Sequence, residues 1–193
     1  TFVVSNTKNK MMIKNRSSLK FIFLLVIVAL NLGCDQVSKI IVRKNLVPYE
    51  QITVIKDHFI LTKVENTGAF LSAGSNLPDF IRTLILTVLP VLVLAYGLWF
   101  IYSHKQLPAL MQIGICFLIG GGIGNIYDRI AHGSVTDFMH MDFILFRTGI
   151  FNLADVSIMV GIALLLINNL MAAKAKKELE DSNEELTTNQ AQH

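Results

Sequence analysis

Two aspartates, Asp137 and Asp155, are the residues of this sequence whose type and setting best suit hydrolytic chemistry. Asp155 opens the last apolar run and is followed by eighteen residues without a charge. Asp137 lies in the segment just before, between Thr136 and Phe138, in otherwise apolar company. Two close carboxylates cannot both ionise cheaply, so one proton is held between them. The ionised member can then take a proton from water while the protonated member polarises a carbonyl. Such a pair titrates as a unit, and the sequence does not say which aspartate holds the proton. The same two groups could instead serve a small proton-coupled transporter or channel as a relay. That reading needs ionisable residues along a path to the other side, and the inner halves of the second, third and fourth apolar runs lack them.

Other polar residues gather near the same end of the apolar runs. Asp35 and Lys39 are four apart and share a helix face, either as an interfacial ion pair that sets helix depth or as part of a site. Asn125 and Arg129 are one turn apart, close to Asp128, and follow the glycine series Gly120-Gly121-Gly122-Ile123-Gly124. Glycines at this spacing are read as helix packing, letting a neighbouring backbone come close. Asn152 and Asp155 are three apart and share a face. An ionisable group at the centre of a bilayer costs about 2.5–3.5 kcal/mol on the milder insertion scales, so each of these residues asks for a reason. A metal site from His132, Asp137 and His140 is a third reading, with loose spacing and no Cys ligand. His58, His104 and His193 are read as surface or interface residues.

The elements that must position these groups follow from composition. The 193 residues are 52% hydrophobic and 16% charged, with a mean hydropathy of +0.52, against about a quarter charged in a soluble domain. Four windows reach the roughly 20 apolar residues a bilayer needs: Leu19 to Val42, Thr83 to Ser103, Leu107 to Tyr127 and Ile150 to Ala173. The net charge of +3 does not point to nucleic acid, because the basic residues flank the apolar runs, where they anchor to lipid headgroups. An export-signal reading of the first run, ending at Leu32-Gly33-Cys34, is disfavoured by Asn31 and by the apolar residues that resume after Lys39. Cys34 and Cys116 are read as free buried thiols. Pro90 predicts a kink in the second span, and Trp99 and Tyr102 suit an interfacial aromatic belt at its inner end.

The fold expected is an all-α transmembrane bundle of four helices with a small extramembrane β-rich cradle on the outer face. Residues 1–11 are read as an N-terminal extension outside the fold, 12–173 as the membrane domain, and 174–193 as a tail that extends the last helix briefly and then frays. Basic flanks at Lys14, Arg16 and Lys20, at His104-Lys105-Gln106, and at Lys174, Lys176 and Lys177 place both termini in the cytoplasm. In the outer loop, about 44–79, Gln51 to Ile55 and Phe59 to Val64 read as strands around Lys56-Asp57, and Asn66-Thr67-Gly68 as a tight turn. Val135 to Phe138 and Phe143 to Phe146 have a similar β flavour.

Five motifs occur in order: Asp35-Gln36-Val37-Ser38-Lys39, Asn66-Thr67-Gly68-Ala69-Phe70, Gly121 through Arg129, Val135-Thr136-Asp137-Phe138, and Phe151-Asn152-Leu153-Ala154-Asp155. Together they resemble lipoprotein signal peptidase, the signal peptidase II family of bacterial cytoplasmic membranes, over about Met12 to Ala173. The second motif has one Ala before Phe70 where the family commonly has two. The resemblance implies a membrane aspartyl endopeptidase with Asp137 and Asp155 as the catalytic dyad. Asp35, Lys39, Asn66, Gly68, Asn125, Arg129 and Asn152 match the family's surrounding residues. It further implies diacylglyceryl-modified prolipoproteins as substrates, cleaved just before the lipidated cysteine, and inhibition by globomycin. No metal or organic cofactor is implied. The expected setting is the inner membrane, multi-pass and monomeric, in contact with membrane lipids, with the site near the periplasmic face.

Overall fold

The apolar runs become helices because nothing in them competes with a backbone that must bond to itself in lipid. A computed structural model describes residues 2–68, 77–104, 106–143 and 146–191. Helix α1 spans Phe2–Asn45. After two strands, α2 (Asp79–Thr83), a turn of π-helix (Leu84–Val88) and α3 (Leu89–Ser103) run end to end. Helix α4 covers Ala109–His132 and α5 covers Leu153–Ala191. Among the described residues, four stretches are long and apolar enough to cross a membrane: Leu19–Asn45, Asp79–Ser103, Ala109–His132 and Leu153–Asn183. Pro90 cannot donate to a carbonyl in the preceding turn, and the wider turn at Leu84–Val88 immediately before it absorbs that mismatch.

Helix α4 is the hub of the bundle, with more than half of its most apolar stretch buried, whereas the second span buries none of its own. Its glycines face three different neighbours. A Cβ on Gly120 would meet the Asn31 side chain of α1 at 2.7 Å, and one on Gly122 would meet Leu94 of α3 at 2.9 Å. One on Gly121 would collide with the Ala154 carbonyl of α5, and one on Gly124 with the Asp35 carboxylate. Gly114 and Gly161 lie against each other's carbonyls in the same way. Ser157 ties α5 to α1 and α4, its Oγ lying 2.8 Å from both Asn31 Oδ1 and the Phe117 carbonyl, two acceptors for its one proton. Helix α4 ends at Gly133, whose φ of 74° suits a residue without a Cβ and whose N–H closes on the Arg129 carbonyl at 3.1 Å.

The two loops with strand character build a single sheet. Strands β1 (Gln51–Ile55), β2 (Phe59–Asn66), β3 (Val135–Asp142) and β4 (Arg147–Phe151) are all antiparallel, in the order β1-β2-β3-β4. The join is β2 to β3, where Val64 faces Asp137, Glu65 faces Thr136 and Asn66 faces Val135. A bulge interrupts this ladder between Leu61 and Val64. Val42 of α1, with Phe138 and Met139 of β3, forms a small core that Phe151 and Leu153 extend. The sheet is thus fastened to the ends of α1 and α5.

The partner of β3 is Arg147–Phe151. Of the expected strand Phe143 to Phe146, the two end residues lie in no strand, and the Phe143 N–H donates to the Phe146 carbonyl at 2.8 Å. The stretch after Ala173 stays helical to Ala191, with Lys174–Glu178 and Lys176–Glu180 ion pairs at i,i+4 in a sequence of good helix formers. Helix α1 likewise begins at Phe2, inside the segment set aside as an extension. Ala69, Phe70, Lys105, Ile144, Leu145 and His193 lie outside the described residues.

Candidate active site

The site begins with a helix start. Asn152 precedes α5, and its side-chain Oδ1 accepts the Asp155 N–H at 3.0 Å while Asp155 Oδ2 accepts the Asn152 N–H at 3.1 Å. This reciprocal capping box satisfies two N–H groups that the first turn of a helix leaves open. It also pins the Asp155 carboxylate to its own backbone. A third N–H of the turn, that of Ala154, donates to Asp35 Oδ1 of α1 at 2.9 Å.

Asp137 is reached from β3. Its Oδ1 accepts Asn152 Nδ2 at 2.6 Å and its Oδ2 accepts Asn66 Nδ2 at 2.8 Å. Asn152 therefore touches both aspartates, one through its amide nitrogen and the other through its cap. Asn125 of α4 completes the ring, donating from Nδ2 to Asp155 Oδ1 at 2.9 Å. Its Oδ1 accepts Asn152 Nδ2 at 3.2 Å and Lys39 Nζ at 2.9 Å. Asp137 is 4% exposed, and that burial, with the charge of Asp155 adding to it, raises its carboxyl from 3.8 to about 6. The amides of Asn66 and Asn152 and the charge of Lys39 pull it the other way.

Lys39 and Asp35 are wholly buried, which an isolated charge could not tolerate in an apolar bundle. Lys39 Nζ meets Asp35 Oδ2 at 2.8 Å, Asp128 Oδ2 at 2.9 Å and Asn125 Oδ1 at 2.9 Å, so each of its three protons has an acceptor. The i,i+4 pair is at once the ion pair of α1 and a neighbour of the aspartates, which reconciles the two readings of its role. Arg129 is set at the side, its guanidinium donating to the Gly68 carbonyl at 3.1 Å and to the Asn125 carbonyl at 3.4 Å. Gly68 N–H in turn donates to Asn66 Oδ1 at 2.9 Å, the turn predicted at Asn66-Thr67-Gly68.

All nine residues singled out from the sequence are thus joined in one network. Several others in it were not singled out. Arg43 donates from Nε to Thr136 Oγ1 at 2.7 Å and pairs with Asp128 Oδ1 at 3.1 Å. Gln36 donates to Asp35 Oδ2 at 3.0 Å and to the Gly124 carbonyl at 3.2 Å. Glu65 accepts from Ser134 at 2.7 Å and from Thr136 at 2.8 Å. Arg43 lies four residues beyond Lys39, so its helical spacing was the available signal. Glu65 and Thr136 meet only through the β2–β3 register, which no local pattern announces. Among the described residues, no group of three or more His, Cys, Asp or Glu is arranged to hold a metal ion.

Residues 26–171 match the family model described as signal peptidase (SPase) II. The chain is 36% identical over 142 residues to the lipoprotein signal peptidase of Streptococcus pneumoniae, covering 74% of this chain and 88% of the relative. It is 39% identical over 143 residues to that of Caldanaerobacter subterraneus subsp. tengcongensis, covering 73% and 91%. A bacterial membrane enzyme solved by the in meso method at 2.3 Å resolution superposes with a TM-score of 0.73 at 27% identity, over 81% of this chain and 92% of that one.

Proposed function

This chain belongs to the signal peptidase II family, and from that premise we propose that it is an aspartyl endopeptidase whose dyad is Asp137 and Asp155. As a multi-pass membrane protein with lipoprotein signal peptidases as its homologues, it acts in lipoprotein signal-peptide removal. The substrate is a prolipoprotein whose cysteine already carries a diacylglyceryl group, and the bond cut is the one just before that cysteine. Both termini face the cytoplasm of a bacterial inner membrane, and the sheet and the dyad lie at the outer face.

The observation that carries this reading is the position of Asn152, which donates to Asp137 and exchanges cap bonds with Asp155. One residue thereby sets two carboxylates beside each other at the mouth of a helix. One carboxyl keeps a proton and donates it toward the scissile carbonyl oxygen. The other takes a proton from the attacking water, whose oxygen adds to the carbonyl carbon. Collapse of the tetrahedral intermediate breaks the C–N bond, and the proton passes to the departing amine of the lipidated cysteine. Asn125 and the Lys39 cluster hold Asp155 and the cap in place, at no reorganisation cost during the reaction. Arg129 and Asn66 flank the dyad with N–H donors for an extended substrate backbone. No metal ion or organic cofactor takes part, the protein acts as a monomer among membrane lipids, and globomycin blocks it.

Purified protein incubated with a synthetic diacylglyceryl prolipoprotein tests this. Cleavage before the lipidated cysteine, abolished by globomycin and by either Asp137→Asn or Asp155→Asn in a membrane-inserted protein, is the expected result. Normal turnover in either variant ends the dyad assignment.

A further inference from the structure

Thr136 is wholly buried beside Asp137 on β3, and neither the proposed chemistry nor the capping of α5 uses it. Successive strand residues point to opposite faces, so Thr136 looks away from the dyad. Its hydroxyl accepts Arg43 Nε at 2.7 Å and donates to Glu65 Oε1 at 2.8 Å. Glu65 Oε2 accepts Ser134 Oγ at 2.7 Å. Strand β3 is therefore gripped by α1 from one side and by its neighbour β2 from the other, one residue away from Asp137.

We infer that Arg43, Thr136 and Glu65 form a positioning clamp for Asp137, setting its carboxylate against that of Asp155. This rests on the assignment of Asp137 and Asp155 as the dyad. Two features of the fold make the clamp necessary. The ladder between β2 and β3 is interrupted between Leu61 and Val64, so backbone pairing next to Asp137 is locally disrupted and the strand's rotation there is not set by the ladder alone. The same arginine also reaches the far side of the dyad. Arg43 pairs with Asp128 at 3.1 Å, Asp128 with Lys39 at 2.9 Å, and Lys39 with Asn125 at 2.9 Å, the residue that donates to Asp155. Through Arg43, the strand that carries one aspartate is referenced to the bundle that holds the other. The three side chains touch neither carboxylate of the dyad in any bond described above; they act through β3.

The test is steady-state cleavage of a synthetic diacylglyceryl prolipoprotein in detergent micelles by the full chain and its variants. Thr136→Val keeps the shape and removes the hydroxyl. A displacement of the order of 1 Å costs about a hundredfold in rate, so a fall in kcat of about ten- to a hundredfold is expected, with KM within about twofold. Thr136→Ser, which restores the hydroxyl, is expected to return kcat to within about threefold of the parent, as reach through one hydroxyl is all the clamp requires. A general packing defect would not be rescued by a smaller residue. If Thr136→Val does not fold, Glu65→Gln keeps the shape and weakens the clamp, and the same fall in kcat at constant KM is expected. Unchanged kcat in the folded variant, a loss carried by KM, or no rescue by Thr136→Ser overturns the clamp. An inactive parent, or an active Asp137→Asn, would instead sink the dyad assignment on which the clamp rests.

Discussion

Asp155 stands in the first turn of a long helix and Asp137 in the middle of a small sheet, and the two are fixed by different means. Asp155 is held first by a residue three positions away, in a capping box that any helix could form in isolation, and then by Asn125 of α4. Asp137 is held by Asn66, 71 positions back in the chain, and by Asn152, 15 positions ahead. The helical aspartate closes the first turn of α5 through the Asn152 N–H. The strand aspartate sits where burial favours the neutral acid, with a carboxyl raised to about 6. On the proposed mechanism, these unequal surroundings let two identical side chains take different parts in one reaction.

The largest effects should come from removing either partner. Asp137→Asn and Asp155→Asn are each expected to lower kcat by about a thousandfold or more, because a neutral amide can neither accept nor share the proton. Both variants keep one side-chain oxygen and turn an NH2 against an amide donor, Asp155→Asn against Asn125 and Asp137→Asn against Asn66 or Asn152. The backbone cap on α5 survives in Asp155→Asn, so that variant is expected to lose less thermal stability than Asp137→Asn, whose two anchors both lie outside β3. A variant pair with the same thermal stability in detergent would show that the two surroundings are less different than the bonds suggest.

Lys39→Met comes next and probes what the sides share. It strands Asp35 and Asp128 as buried carboxylates without their common cation, a loss of about 3–5 kcal/mol for a broken buried pair. Since Asp35 caps Ala154, the helical side should suffer first. Amide hydrogen exchange at Ala154 and Asp155 should quicken more than at Thr136 and Asp137. Equal protection loss on both sides would make the cluster a general core and not a support of α5.

The contrast also explains what could be read from the sequence. Four spans were legible because a bilayer imposes length and apolarity on each segment by itself, and the Asn152–Asp155 pair was legible because i,i+3 spacing is local. The glycines of α4 were legible as packing, but not that Gly120, Gly121 and Gly122 face three different helices. That the two loops between helices combine into one sheet was out of reach, since β2 and β3 are some 70 residues apart and pair through register alone. The strand that pairs with β3, Arg147–Phe151, escaped for the same reason: it is more polar than the aromatic stretch before it, and only register singles it out. Arg43 and Glu65 escaped notice for that reason too, as their partner Thr136 belongs to another segment.

Asn152→Ala strikes both aspartates at once and separates their dependence on it. Losing an N-cap costs about 0.5–2 kcal/mol of stability, and losing the 2.6 Å bond to Asp137 removes a donor from the second carboxylate. A fall in kcat of about a hundredfold is expected from the lost geometry. Asn152→Ser restores a cap without the amide donor to Asp137, so it should recover much of the stability and not the rate. Recovery of both would mean that the cap alone matters, and the bridge between helix and sheet would lose its catalytic meaning.

The smallest effect, and the most diagnostic of the sheet side, is a shift in pH dependence on Asn66→Ala. On the proposed mechanism the singly protonated pair is the competent form, so kcat/KM should decline as pH rises through the value at which the second carboxyl ionises, in the region of the Asp137 carboxyl at about 6. Asn66 donates to the ionised form and thus lowers that value. Removing it should move the alkaline limb upward, leaving the variant slower at pH 6 but retaining a larger share of its own maximum at pH 8. The sign is set by linkage: a carboxyl whose folded value lies above its unfolded one favours the folded state most at low pH, and that advantage is lost as pH rises through the folded value. The thermal stability of the parent in detergent should therefore fall between pH 4 and pH 7, and in Asn66→Ala the fall should start at the same pH but extend to higher pH. A limb that moves downward, or that stays in place while kcat drops, would mean that Asn66 serves the substrate and not the proton on Asp137.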